Sequence, residues 1–309
     1  MRRSELKPFL KWAGGKGQLL TQIKDSLPQK IINRKIKAYI EPFVGGGAVF
    51  FDLHRLFDFE KVILNDYNVD LMMTYKSICE DIDELVCNLY DLEKIFINSE
   101  EKDRKKMFYN IREVFNKEKE SIDYSKVSIE IIKHSANMIF LNKTCFNGLY
   151  RLNSKGGYNV PFGYYKNPKI CDEKNLRNVS STLKRVTLIY GDFENLTEHI
   201  DKETFVYIDP PYRPLSGTSS FNNYQKAPFN DESQKRLAQW YKYLDVEKKA
   251  LLMLSNSDPK NTDQSDNFFD EIYKDYNINR VHAKRAINSK GNGRGLINEL
   301  LITNYLPYR

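Results

Sequence analysis

The sequence predicts an α/β protein, a sheet interrupted by a helical insertion, and three observations carry that expectation. Short apolar runs alternate with helical patterns toward both ends of the chain. Between them, over residues 71–142, the chain turns Lys/Glu-rich with helical spacing, first through Ile78, Ile82, Leu85 and Leu89 and then through Phe108, Ile111, Val114 and Phe115. The 309 residues, 41% of them apolar, suffice for a sizeable core.

Taken in order, the first element is Pro8-Phe9-Leu10-Lys11-Trp12-Ala13-Gly14-Gly15-Lys16, too apolar and aromatic for an idle terminus unless it packs over the core or binds something. It is not a phosphate loop, since Gly17 follows Lys16 where Ser or Thr would be needed and the leading glycine is missing. Strands are expected at residues 38–40, 62–64, 186–190, 205–208, 250–254 and 299–303. Between the first strand and the apolar stretch 49–53 stands Glu41-Pro42-Phe43-Val44-Gly45-Gly46-Gly47-Ala48, a strand-to-helix turn whose glycines let backbone approach a nucleotide-type ligand. Asp66, closing the second strand, is placed to take ribose hydroxyls. The same set fits an NAD-binding domain, although the G-x-G-x-x-G spacing is absent. After the helical stretch, Asn147-Gly148 and Lys155-Gly156-Gly157 bound a hairpin over 149–153 that returns through Tyr158-Asn159-Val160.

The strand at 205–208 runs directly into Asp209-Pro210-Pro211-Tyr212. Proline fixes φ and has no N–H, so the strand stops there and the Pro210 carbonyl is left to turn away from the sheet. Asp209 and that carbonyl can both accept from an exocyclic –NH2, and the Tyr212 ring offers a planar base a stacking face. Pro-Pro by itself would mean only a turn; the flanking Asp and Tyr make it a site.

The net charge of +7 is modest, but its distribution is uneven. Residues 131–171 contain no acid while carrying Lys133, Lys143, Arg151, Lys155, Lys166 and Lys169 among aromatic side chains. A second acid-free window, 277–297, holds Arg280, Lys284, Arg285, Lys290 and Arg294 with Gly291, Gly293 and Gly295. Two basic, flexible segments suit a phosphate-lined partner. Cys79, Cys87, Cys145 and Cys171 lack zinc-like spacing and the four histidines are scattered, so neither a metal site nor a disulfide framework is expected. With no membrane-length apolar run and no secretory leader, a cytoplasmic location away from any membrane is expected.

These motifs, in this order, carry a family resemblance. Leu10-Lys11-Trp12-Ala13-Gly14-Gly15-Lys16, Glu41-Pro42-Phe43-Val44-Gly45-Gly46-Gly47, Asn65-Asp66-Tyr67-Asn68, Asn159-Val160-Pro161-Phe162-Gly163 and Asp209-Pro210-Pro211-Tyr212 resemble the Dam-type DNA adenine-N6 methyltransferases, of the α group of amino-methyltransferases. The resemblance spans nearly the whole chain. It implies a Rossmann-like S-adenosylmethionine-dependent methyltransferase sheet with a mainly helical DNA-recognition insertion. The catalytic domain would comprise 1–70 and 176–309, the target-recognition domain 71–175, and the recognition hairpin 145–165.

The resemblance also assigns roles. Trp12, Lys16, Phe43, Gly45, Asp66 and Asp209 would bind S-adenosylmethionine, with Lys16 on the methionine carboxylate, and Asp192 and Phe193 would hold its adenine. Asp209, the Pro210 carbonyl and Tyr212 would be catalytic, drawing the target nitrogen toward tetrahedral geometry for direct in-line transfer to a flipped adenine. In relatives that methylate GATC, the matching hairpin reads the site. By carry-over, Arg151 takes a guanine edge, Lys11 the other guanine, Leu149 and Pro161 touch thymine, Asn153 holds a phosphate, and Phe146 fills space among splayed bases. Double-stranded DNA is the implied partner. A cognate restriction endonuclease acting on the same site without a stable complex is a second, and protection of a host and marking of replicated DNA both stay open. Competing readings are an NAD dehydrogenase, a methyltransferase of RNA, protein glutamine or cytosine N4, and a DNA-binding protein without activity.

Overall fold

Parallel strands covered on both faces read as nearly continuous apolar runs, and the strands at 38–41 and 204–208 are buried throughout, Glu41 and Thr204 at their ends included. The structure, a computed structural model, describes residues 6–12, 14–213, 229–284 and 296–307. A short turn of helix at Lys16–Gln18 leads into α1 (Leu20–Asp25), α2 (Gln29–Ile32), β1 (Ala38–Glu41), α3 (Ala48–Leu56) and β2 (Lys61–Asp66). Four helices follow, α4 (Val69–Glu80), α5 (Ile82–Ile97), α6 (Glu101–Glu118) and α7 (Ile129–Thr144). The chain then returns to the sheet through α8 (Glu173–Leu183), β3 (Thr187–Tyr190) and β4 (Thr204–Ile208). It ends with α9 (Asp231–Val246), β5 (Leu251–Ser257), α10 (Phe268–Ile272), β6 (Asn277–Lys284) and β7 (Leu296–Thr303).

The sheet order is β3-β2-β1-β4-β5-β7-β6, parallel from β3 to β5 and antiparallel through β7 and β6. This is a Rossmann-like, doubly wound arrangement. Strand order reverses between β1 and β4, so a crevice opens beyond their carboxyl ends. Each expected strand is present. The additional strand is β6, and it corrects the expectation of a flexible window at 277–297: residues 277–284 pair with β7. Its Asn and Arg/Lys content hid it, because an edge strand carries polar side chains that discourage pairing with another chain. Arg285, Lys290, Arg294 and Gly291, Gly293 and Gly295 lie outside the described residues.

Alternation along the strands divides the interior in two. Tyr39, Val62, Leu64, Phe205 and Tyr207 face one core, and that core continues without a break into Phe96, Phe108, Phe115, Phe140 and Phe162 of the helical insertion. Ile40, Ile63, Val206 and Ile208 face a second core with Leu237, Trp240 and Tyr241 of α9. The expected boundaries at 70/71 and 175/176 fall inside α4 and α8, helices that also pack on each other. Side-chain caps start these helices where the sequence offers them: Asn68 accepts from the Leu71 N–H, Asp81 from Glu84 and Ser128 from Ile131.

Two antiparallel bridges, Leu152 with Tyr158 and Cys145 with Phe162, and the bond from Asn159 N–H to the Arg151 carbonyl make 145–162 a hairpin. Among the described residues no helix is long and apolar enough to cross a membrane, and no cluster of three or more His, Cys, Asp or Glu could hold a metal ion.

Candidate active site and nucleic-acid interface

The crevice at the switch point holds a cavity of about 540 Å³. Trp12, Lys16, Phe43, Gly45, Asp66, Asp209 and Tyr212 line it, so the N-terminal segment, the glycine-rich turn, the end of β2 and the Asp-Pro-Pro-Tyr segment converge as expected. Asp192 and Phe193 lie outside this lining. Asp192 caps the helical turn after β3 by accepting from the Glu194 N–H and forms an ion pair with Arg236, while Phe193 is buried against Phe43 and Trp240.

The Asn65-Asp66-Tyr67-Asn68 motif ties three loops. Asn65 donates to the carbonyls of Pro42 and Gly191 at 2.9 and 3.0 Å. Asp66 accepts from the N–H groups of Gly45 and Asn68 at 3.0 and 2.9 Å, so its carboxylate braces the glycine-rich turn and still faces the cavity. Burial raises the Asp66 carboxyl from the ordinary 3.8 to about 6, against those backbone bonds. Gly45 has φ +47°, and a Cβ there would lie 2.7 Å from the Trp12 ring, so only glycine lets that ring close on the turn.

At the end of β4, Lys16 Nζ donates to Asp209 Oδ1 at 2.5 Å, to the Tyr212 hydroxyl at 2.6 Å and to the Gly14 carbonyl at 3.2 Å. It also sits 4.6 Å from the centre of the Tyr212 ring. Lys16 is therefore paired within the protein, beside the groups expected to receive an amine. The Tyr212 hydroxyl in turn donates to Glu299 at 2.6 Å, and Ser255 donates to Asp209 at 3.2 Å. Gln234 donates to the Pro211 carbonyl at 3.0 Å and anchors the Pro-Pro step. Burial pushes the Asp209 and Glu299 carboxyls upward, with Lys16 pulling both back down.

Sequence reasoning missed Glu41, Ser255 and Glu299. Glu41 lines the cavity, accepts from the Tyr39 hydroxyl at 2.8 Å and is driven well above the usual carboxylate range by burial. A lone acid inside the apolar run 296–302 marked Glu299, and the position directly before Pro42-Phe43 marked Glu41.

The expected DNA readers lie on and beside the hairpin. Phe146 and Pro161 are exposed and joined by a bond from the Phe146 N–H to the Pro161 carbonyl at 2.9 Å. The Arg151 guanidinium is braced by Asn159 Oδ1 at 2.7 Å. Lys11 is fixed by reciprocal bonds with Asn142, both 2.8 Å, and its ammonium lies 4.9 Å from the Tyr165 ring centre. A Cβ on Gly148 would lie 2.3 Å from Lys11 Cδ, so that glycine clears the path of the lysine. Leu149 is half-buried on the core. Asn153 Oδ1 accepts from the N–H groups of Lys155 and Gly157, so it shapes the turn besides facing solvent.

Several expected phosphate ligands are otherwise engaged. Arg280 pairs with Asp258 and Asp270 at 2.9 and 2.8 Å, and Lys169 with Asp172 at 2.6 Å. Burial, aided by Lys11, lowers the Lys143 ammonium to about 8. Lys155 and Lys166 stay exposed.

Residues 12–287 match the family described as D12 class N6 adenine-specific DNA methyltransferase. The type II methyltransferase M.MjaIII of Methanocaldococcus jannaschii is 52% identical over 302 residues, 97% of this chain and 100% of that protein. The type II methyltransferase M1.LlaDCHI of Lactococcus lactis subsp. cremoris is 36% identical over 97% of this chain and 96% of its own. The DNA adenine methylase of Escherichia coli K12 is 34% identical over 96% of this chain and 94% of its own. A match that runs from Trp12 across both the cavity and the hairpin, with relatives aligned almost end to end, means that the chain belongs to the D12 class of N6 adenine-specific DNA methyltransferases.

Proposed function

We propose that this N6-adenine DNA methyltransferase takes its methyl group from S-adenosylmethionine in the 540 Å³ cavity and transfers it to a flipped adenine within GATC in double-stranded DNA. The observation that carries the reading is the placement of Lys16 Nζ, an N–H donor held by Asp209 and set against Tyr212. A site that seats one nitrogen donor there is built to receive another, the exocyclic amine of a base. The cavity fits the donor molecule chemically: Asp66 and Asp209 give it an acidic wall suited to a sulfonium and an ammonium, and Lys16 supplies the cation for a carboxylate. Trp12, Phe43 and the Gly45 turn would hold its flat and backbone-contacting parts.

When bound, the donor supplies an electrophilic methyl on sulfur. The protein does the rest. Asp209 and the Pro210 carbonyl each accept one N–H of the amine, turning its lone pair out of conjugation and toward the methyl. Tyr212, fixed by Glu299, presents its ring to the extruded base and helps offset unstacking, which costs a few kcal/mol. No cysteine nucleophile is needed, and Cys145, the buried one, lies in the hairpin. On the DNA side, Arg151 spans O6 and N7 of one guanine, Lys11 reaches the other, Leu149 and Pro161 meet thymine, and exposed Lys155 and Lys166 grip phosphate. Phe193 packs behind Phe43, and we assign it, with Asp192 beside it in the chain, to the adenine end of the donor site. We assign 71–175 to target recognition and the remainder to catalysis. A restriction endonuclease sharing the site is the partner suggested by the type II names of relatives.

Plasmid methylated by the protein should resist a nuclease blocked by N6-methyl-GATC and be cut by one that requires it. Methyl incorporation without either change would remove GATC from the assignment, and absence of incorporation would remove the activity.

A further inference from the structure

Between the cavity and the hairpin stands a stacked pair of aromatic rings. Trp12 lines the cavity on one side, and on the other its ring stacks on Tyr150, centres 5.2 Å apart and planes 22° from parallel. Tyr150 is 2% exposed and falls between Leu149 and Arg151, two of the residues assigned to base reading. Its hydroxyl donates to Asp70 Oδ2 at 2.9 Å. Asp70 is also buried, and it collects three more donors: Lys119 Nζ at 2.6 Å, the Tyr124 hydroxyl at 2.9 Å and the His134 ring at 3.0 Å. One carboxylate thus joins α4, the segment just after α6, α7 and the hairpin.

Asp70 stands in the first turn of α4, directly after the motif whose Asp66 braces Gly45. The donor side of the molecule and the reading side therefore meet at the Tyr150 side chain, through its ring toward Trp12 and through its hydroxyl toward Asp70. The hairpin needs such an anchor, since its own backbone pairing amounts to two isolated bridges.

We propose that Tyr150, held by Asp70, is a positioning residue that couples donor occupancy to DNA reading. This rests on the function assigned above. A ligand seated against Trp12 restrains that ring, the stacked Tyr150 is restrained with it, and Leu149 and Arg151 on either side are held in their reading positions before DNA arrives. Ordering that has already taken place does not oppose the second binding step, so donor and cognate DNA reinforce each other's binding.

The test measures affinity of the full-length protein for a GATC duplex and a scrambled duplex, with and without S-adenosylhomocysteine, which cannot transfer methyl. In the wild type the analogue should tighten the GATC complex by about fivefold or more and leave the scrambled complex nearly unchanged. Tyr150→Phe keeps the stack on Trp12 and loses only the hydroxyl; its enhancement should fall toward onefold while affinity for the analogue alone is retained. Tyr124→Phe removes an equivalent bond to the same carboxylate without touching the hairpin, and should keep the full enhancement. Retention of the enhancement in Tyr150→Phe, or its equal loss in Tyr124→Phe, would overturn the inference. A wild-type protein that binds the analogue and prefers GATC yet shows no enhancement overturns it too, leaving the assigned function intact; one that does not bind the analogue overturns both.

Discussion

The cavity end of the sheet and the hairpin at 145–165 are assembled by opposite means. In the cavity, backbone positions are set by the strands of one sheet, and the reactive groups hang on them: Asp66 at the end of β2, Asp209 just past β4, and Glu299 within the antiparallel β7. In the hairpin, only two bridges pair the backbone, and side chains from elsewhere hold it: Asn116 bonds both ways with Tyr158, Arg112 donates to the Val160 carbonyl, and Asn142 to that of Gly148. A rigid frame suits chemistry that fails when atoms shift by an ångström, whereas a surface held by side chains can change its reading residues without disturbing the sheet.

If this contrast is right, substitutions in the two regions should fail differently. The largest effect on transfer is expected for Asp209→Ala, which removes an acceptor of the amine while the strands that carry it stay paired. Transfer of labelled methyl should fall by about 10² or more, with duplex affinity little changed; near-normal turnover would refute the role of the carboxylate.

Next in size is Arg151→Ala, expected to weaken binding to GATC by about 1–3 kcal/mol while sparing a scrambled duplex. Lys166→Ala should weaken both equally and lower the salt slope by about one. Equal losses on the two duplexes for Arg151→Ala would make the hairpin a phosphate grip and erase half of the contrast.

The smallest effect concerns pH. Asp66 holds its proton up to about 6 when folded, against 3.8 ordinarily. Below about 6 one of its oxygens becomes a donor, so donor affinity by calorimetry should drop a few-fold as pH falls through that value in the wild type but stay flat in Asp66→Asn. Stability should move the other way. A carboxyl with a raised folded pKa adds stability that is fully present below its unfolded pKa and lost as pH rises through the folded one. Donor affinity that stays level across this range in the wild type would show that the carboxylate serves the loop alone.

Much of the frame was legible in the sequence, because a strand buried on both faces reads as a nearly continuous apolar run and a strand-to-helix turn near a ligand must be glycine-rich. The motifs at Trp12, Gly45, Asp66 and Asp209 did meet around one cavity. What could not be read were partnerships across long separations. Nothing near Asp70 in the chain announces Tyr150 or His134, and nothing near Asp192 announces Arg236, which pairs with it from far along the chain. The strand at 277–284 was missed for a related reason: its polar edge resembles a loop until β7 pairs with it.

One property of the interior bears on how such enzymes diversify. The helical insertion and one face of the sheet share a continuous apolar core running from Tyr39 and Phe205 to Phe96 and Phe162. Exchange of residues 71–175 between relatives would therefore place two foreign halves of one interior against each other, and a mismatched interior costs stability at every contact it spoils. Grafts of new sequence preference onto this scaffold belong instead within the hairpin, with the Asn142, Asn116 and Arg112 anchors kept and only the outward side chains replaced.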